Sequence, residues 1–137
     1  MTDAMGGMLH GQRNCHPKLS ECTIAYERCL WGTGAAIHLT GNCSLIVEKS
    51  IIAYCEGHET ISFYDLPEAY FSCSNLYGNG DGDWAGYLAE QLDMEGNISA
   101  DPQFTNGQFG SFYLQPYSPC RADSSECGRM GAWEVWQ

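Results

Sequence analysis

Between positions 79 and 83 the chain reads Asn79-Gly80-Asp81-Gly82-Asp83, with oxygen-bearing side chains alternating with glycine. That spacing on a loop suits a hard cation with an all-oxygen shell, so calcium is the one candidate cofactor and Asp81 and Asp83 its candidate ligands. The run lacks the closing Glu of a helix–loop–helix calcium site, and the same residues build a turn without metal through Asx bonds and positive φ. His10 and His38 offer a second pair 28 residues apart. On neighbouring strands they would stack outward about 4.8 Å apart, as a metal or acid–base pair or simply as a solvent-facing ladder. Glu48, Asp65, Glu68, Asp81 and Asp83 are the carboxylates that a glycosidase would need in flanking pairs, but nothing in the sequence sets any two at a defined separation. Flat rings are the third resource. Trp31, Tyr64 and Tyr70 are candidate ligand-binding residues that could stack on sugar faces, which makes a polysaccharide the candidate partner. Tyr26 and Tyr54 are open to the same use or to stacking on each other.

What must position these residues is a repeat. Leu19-Ser20-Glu21-Cys22-Thr23-Ile24-Ala25-Tyr26 recurs as Val47-Glu48-Lys49-Ser50-Ile51-Ile52-Ala53-Tyr54, and more loosely as Phe71-Ser72-Cys73-Ser74-Asn75-Leu76-Tyr77-Gly78. The steps are 28 and 24 residues, and Leu9-His10, Ile37-His38 and Ile61-Ser62 follow the same offsets. Short period-2 alternation predicts strands, whose successive side chains point to opposite faces. Gly32, Gly34, Gly41 and Asn42 read as turns between them. Stacking like on like predicts apolar ladders Leu9/Ile37/Ile61, Leu19/Val47/Phe71 and Ile24/Ile52/Leu76. Repeats of this length signal stacked supersecondary units, and strands separated by turns predict an all-β chain, a right-handed parallel β-helix of about three coils. A sandwich with chance similarity is the plain alternative.

The coils are expected to occupy residues 1–79 and a C-terminal cap of the same domain residues 80–137. A stack of coils ends in unpaired strand edges and an exposed apolar cross-section. Aromatics at 84, 104, 109, 112, 113, 133 and 136 suit a plug over that end, and Tyr87 to Met94 read as a short helix with Leu88 and Leu92 on one side.

Ser74-Asn75-Leu76-Tyr77-Gly78-Asn79, Gly82-Asp83-Trp84 and Gly96-Asn97-Ile98-Ser99-Ala100-Asp101-Pro102 resemble the C-terminal region of bacterial right-handed parallel β-helix repeat proteins of the pectin-lyase-like fold. Leu114-Gln115-Pro116-Tyr117-Ser118-Pro119-Cys120 and Cys127-Gly128-Arg129-Met130-Gly131-Ala132-Trp133 resemble the same ending. The resemblance implies a secreted or surface-exposed protein, and it implies architecture and compartment rather than an activity. Such proteins carry a signal peptide and more coils before the cap. Here Met1-Thr2-Asp3-Ala4-Met5-Gly6-Gly7 shows neither a basic nor an apolar leader region. The expectation is therefore the C-terminal segment of a longer β-helix, or an N-terminal edge that pairs with upstream coils or self-associates.

Composition narrows the partners. Seventeen acidic against six basic residues leave a net charge of −11, which argues against nucleic acid and against simple attraction to polyanionic glycans. No apolar run is long enough to span a membrane. Eight cysteines point to an oxidising compartment. Cys120 and Cys127 bracket a polar loop and form the predicted disulfide; Cys15, Cys29, Cys43 and Cys55 sit near turns and could pair between coils; Cys22 reads as a free, core-facing thiol. The polygalacturonase catalytic blocks are missing, Gly57-His58-Glu59 being only a fragment of one. Arg13, Arg28, Arg121 and Arg129 form no basic groove suited to lyase chemistry. The function expected is a non-catalytic display or glycan-binding role. The alternatives are a carbohydrate-active enzyme with catalytic coils upstream and a self-associating structural protein.

Overall fold

A computed structural model describes residues 9–12, 14–26, 36–56, 61–63, 68–80, 82–84, 86–107, 110–122 and 126–133. Along them run strands β1 (Leu9–Gln12), β2 (Lys18–Ser20), β3 (Thr23–Ala25), β4 (Ile37–Thr40), β5 (Ser44–Glu48), β6 (Ile51–Ala53), β7 (Ile61–Phe63), β8 (Glu68–Ser72), β9 (Asn75–Tyr77), β10 (Phe104–Asn106) and β11 (Ser111–Leu114). A 3-10 helix covers Gly86–Gln91, a tighter and shorter element than the expected helix over 87–94. The chain is all-β, with no α-helix among the described residues.

Every third strand pairs with its counterpart. Three parallel three-stranded sheets result, in the orders β1-β4-β7, β2-β5-β8 and β3-β6-β9. The repeat offsets are the sheet registers: Leu9 opposes Ile37 and Ile37 opposes Ile61, Leu19/Val47/Phe71 form the second row, and Ile24/Ile52/Leu76 the third. One buried cluster draws on all three sheets, with Ile24, Ile37, Leu39, Leu45, Val47, Ile52, Phe71 and Leu76 at its centre. At about 1.5–3 kcal/mol for each fully buried aliphatic or aromatic side chain, these rows are the main force holding the sheets together.

Sharp corners join the second and third sheets, and the same backbone solution recurs at each level. Glu21, Lys49 and Cys73 follow β2, β5 and β8 with φ of 54°, 51° and 50°. The next residue turns its side chain to satisfy the backbone of the level before it. Cys22 N–H donates to Ser50 Oγ (3.1 Å), Ser50 N–H to Ser74 Oγ (3.3 Å) and Ser74 N–H to Asn97 Oδ1 (3.1 Å). The column thus continues past Asn79: Ile98 bridges Asn75 in parallel, and Cys73 N–H donates to the Glu95 carbonyl. Trp84 and Leu88 pack on the same end of the core, with Trp84 edge-on to Phe71 at 5.4 Å.

The rest of the C-terminal region goes elsewhere than the expected plug. Phe104, Leu114, Cys120 and Met130 form a second core with Ile51 and Ala53, on the side of β3-β6-β9 turned away from the first core. β10 and β11 pair antiparallel within it. The last described segment crosses this face, with Gly131 N–H donating to the Lys49 carbonyl and Ala132 N–H to Thr23 Oγ1. Gly131 is required there: its φ is 88°, and a Cβ would stand 2.7 Å from both Ile51 Cδ1 and Thr23 Oγ1. Of the predicted plug aromatics, Phe109 and Trp136 lie outside the described residues.

The disulfides correct one expectation and fit another. Cys127 is bonded to Cys73, 54 residues away, while Cys120 keeps a buried thiol in the second core; the expected Cys120–Cys127 bond is not formed. The polar loop between those two cysteines set a short spacing, but packing brings Cys127 to the corner residue Cys73 instead. Cys15–Cys43 joins neighbouring levels at the repeat spacing of 28. Cys29 lies outside the described residues. Cys22 is a thiol, but half-buried and outside the core cluster, with its Sγ donating to the Ser20 carbonyl. Two disulfides are the mark of an oxidising environment such as the cell exterior. No helix among the described residues is long and apolar enough to cross a membrane.

Candidate functional site

Alternation along β5 places Leu45 and Val47 in the core and turns Ser44, Ile46 and Glu48 outward. On β8 the same rule buries Phe71 and turns out Glu68, Tyr70 and Ser72. Register then sets Tyr70 beside Ile46, and Ile46 beside Lys18. Tyr70 is 61% exposed, Ile46 45% and Met94 55%. These three side chains wall an open groove of about 470 Å³, with Ser72, Glu90, Gln91 and Glu95 supplying its polar edge.

The platform under Tyr70 is held from behind. Phe71 N–H donates to Gln91 Oε1 and Gln91 Nε2 donates to the Ala69 carbonyl, both at 2.7 Å, so one side-chain amide takes the ladder positions that a further strand would occupy on either side of Tyr70. Asn97 braces the brace. It is 2% exposed, and its Nδ2 donates to the carbonyls of Phe71 (2.9 Å) and Gln91 (3.0 Å). The turn after the 3-10 helix, with Met94 N–H donating to the Gln91 carbonyl, carries Met94 and Glu95 to the groove wall. Beyond the groove, Lys18 Nζ meets Glu48 Oε1 at 3.2 Å, and His16 Nδ1 lies 2.8 Å from Ser44 Oγ. The Lys18 hydrogen bond, and then its charge, hold the Glu48 carboxyl below the usual range.

Of the aromatic candidates, Tyr70 lies at this groove, while Trp31 and Tyr64 fall outside the described residues. Asp81 also falls outside them. Asp83 is committed to the chain: it accepts from Gly78 N–H (3.2 Å), Asn79 N–H (2.9 Å) and Asn79 Nδ2 (2.9 Å), which is the turn reading of that loop. Among the described residues no three His, Cys, Asp or Glu side chains gather as a metal site. His10, His38 and Ser62 do align in register, but His38 is 4% exposed, so the expected solvent-facing position is covered instead. Ile37, His38 and Leu39 are all buried, so both faces of β4 are covered. Asn97, whose Asn97-Ile98-Ser99 run has the pattern of a glycosylation acceptor, is likewise enclosed.

Tyr26 and Tyr54 stack on each other at 5.1 Å, with Phe112 over Tyr26 and Phe104 at the edge of Tyr54. Tyr54 Oη donates to Asp101 Oδ1 at 2.8 Å; burial first, and then Asp101, push its phenol pKa well up. This pair is structural. The Cys120 thiol is pushed up to about 11 by burial, and it accepts a hydrogen bond from Asn75 Nδ2.

Ile46, Met94, Glu90 and Glu95 were missed in the sequence as site residues. The signal for Ile46 was present: Leu45-Ile46-Val47 is apolar at an outward position as well as two inward ones. Met94 and the two glutamates reach the groove only through the turn after the 3-10 helix, which no periodicity announces. No family model, curated protein or solved structure matches this chain.

Proposed function

We propose that the protein is a secreted or surface-exposed right-handed parallel β-helix, non-catalytic in these residues, which presents a glycan-binding groove on its side. The repeating parallel pairings, the shared core and the recurring corners support the stacked-coil reading. The observation that carries the functional reading is Tyr70: a ring braced at its backbone by Gln91, 61% exposed, and flanked by the apolar surfaces of Ile46 and Met94. A flat ring with polar neighbours suits the alternating apolar and hydroxylated faces of a sugar.

The test is affinity electrophoresis through gels containing a panel of polysaccharides, followed by titration of whichever retards the protein. Tyr70→Ala should weaken binding by roughly tenfold, or ~1.4 kcal/mol. Retardation unchanged by Tyr70→Ala would remove the groove from the reading. Release of reducing ends or unsaturated uronates would replace the binding role with an enzymatic one.

A further inference from the structure

We infer that the groove selects sugar chains bearing free amino groups, such as deacetylated hexosamine oligomers, over uronate chains; this rests on the glycan-binding reading above. The charged groups of the groove are acceptors, and its donors are neutral: the Tyr70 and Ser72 hydroxyls and one Gln91 N–H. Its charged groups are the carboxylates of Glu90 and Glu95, both exposed at the edge, and among the described residues no Lys, Arg or His lines it. The ion pair found among the described residues is Lys18–Glu48, so neither glutamate is neutralised by a neighbouring cation. Gln91 has its amide oxygen and one of its two amide N–H groups committed to the backbone of Phe71 and Ala69. Lys18 is the nearest base in the row of Ile46 and Tyr70, and its ammonium is drawn to Glu48.

A uronate entering this groove would bring its carboxylate against two others with no cation to receive it. An ammonium finds the reverse: two carboxylates, and the face of Tyr70, whose ring attracts cations. The net charge of −11 adds attraction at long range and steers a polycation toward the surface.

Isothermal titration of the purified, disulfide-intact chain tests this with four probes: oligomers of glucosamine, of N-acetylglucosamine and of galacturonate, and oligolysine. The titration is run at a pH of about 5.5 and low salt, where the sugar amines are protonated. The expected order is glucosamine first, N-acetylglucosamine roughly three- to tenfold weaker, and galacturonate weakest, the gap being that of two exposed charge pairs. Glu90→Gln with Glu95→Gln should bring glucosamine down to the level of the acetylated oligomer. Tyr70→Ala should weaken both, and Tyr70→Phe should restore both. Equal binding of the two hexosamine oligomers, still dependent on Tyr70, would overturn amine selection and leave the glycan reading standing. Oligolysine binding as tightly as glucosamine and indifferent to Tyr70→Ala would reduce the site to an acidic surface and overturn the inference. Failure of every sugar to bind would overturn both readings.

Discussion

Asn97→Ala should be among the most damaging single substitutions in the chain, and its cost can be worked from three contacts. The side chain accepts from Ser74 N–H at 3.1 Å and donates to the carbonyls of Phe71 and Gln91 at 2.9 and 3.0 Å, at 2% exposure. Ala removes all three bonds and leaves buried backbone groups behind. Each bond is worth about 1 kcal/mol net, and orphaned buried groups add their desolvation cost, so the loss should be about 3–5 kcal/mol. For a chain of this size that lowers the melting temperature by roughly 10 °C or more. Asn97→Asp refines the argument. The carboxylate keeps the acceptor for Ser74 N–H but sets negative charge against two carbonyl oxygens, so its folded-state pKa rises above the unfolded value. Stability is then greatest below an unfolded pKa of about 4 and falls as pH rises through the raised folded value. Urea unfolding of both variants at acid and neutral pH, with exposed Asn42→Ala as the control, is the assay. A loss below ~1 kcal/mol for Asn97→Ala, or an Asp variant no weaker at neutral pH than in acid, would refute the claim that Asn97 closes the end of the repeat.

Other outcomes follow from single contacts. Peptide mapping without reductant should recover Cys73–Cys127 and Cys15–Cys43. Cys73→Ala with Cys127→Ala should cost about 4 kcal/mol by loop-closure entropy, and Cys120→Ala should leave the disulfide map unchanged. Tyr54 and Tyr26 have phenol pKa values raised in the fold, so their contribution is full below the unfolded value of about 10 and is lost as pH rises beyond it. Melting curves from pH ~8 to ~11 should fall more steeply for the wild type than for Tyr54→Phe. Ile46→Thr, at a 45% exposed position, should change stability by no more than ~0.5 kcal/mol while weakening ligand binding; a loss above ~1.5 kcal/mol would make Ile46 a packing residue and not a groove wall.

The three apolar rows were legible because every repeat keeps an inward residue at the same offset, and a row such as Ile24/Ile52/Leu76 has one way to align. Where two contributions compete, the sequence is less readable. Cys127 had a near partner in Cys120 by spacing, but the second core fixes Cys120 facing Asn75 and brings Cys127 to the corner at Cys73. His38 has the polarity of an outward residue, yet the face it points to is covered. Ile51-Ile52-Ala53 held the clue to the second core: three consecutive apolar residues do not alternate, and the strand is buried on both faces. Tyr70 was legible as an aromatic at a strand; its groove was not, because Met94, Glu90 and Glu95 arrive from a 3-10 turn fixed by Gln91 and Asn97.

That covering of faces is also the reason the groove calls for a functional account. Each of the three sheets turns one side to the shared core and one side away from it. On β3-β6-β9 the away side carries the second core, so Ile51 and Ala53 are enclosed. On β1-β4-β7 the burial of His38 between Ile37 and Leu39 shows β4 covered on both sides. On β2-β5-β8 the away side shows Ser20, Ile46, Glu48, Glu68 and Tyr70 at exposed or half-exposed positions. Folding alone would favour polar residues there, as it does at Lys18, Ser20 and Glu48. Ile46 and Tyr70 depart from that rule at adjacent register positions, and Met94 joins them from outside the sheet. Isolated exposed apolar residues are ordinary, but three converging on one groove, over a backbone braced by a dedicated side-chain amide, are what a binding surface requires.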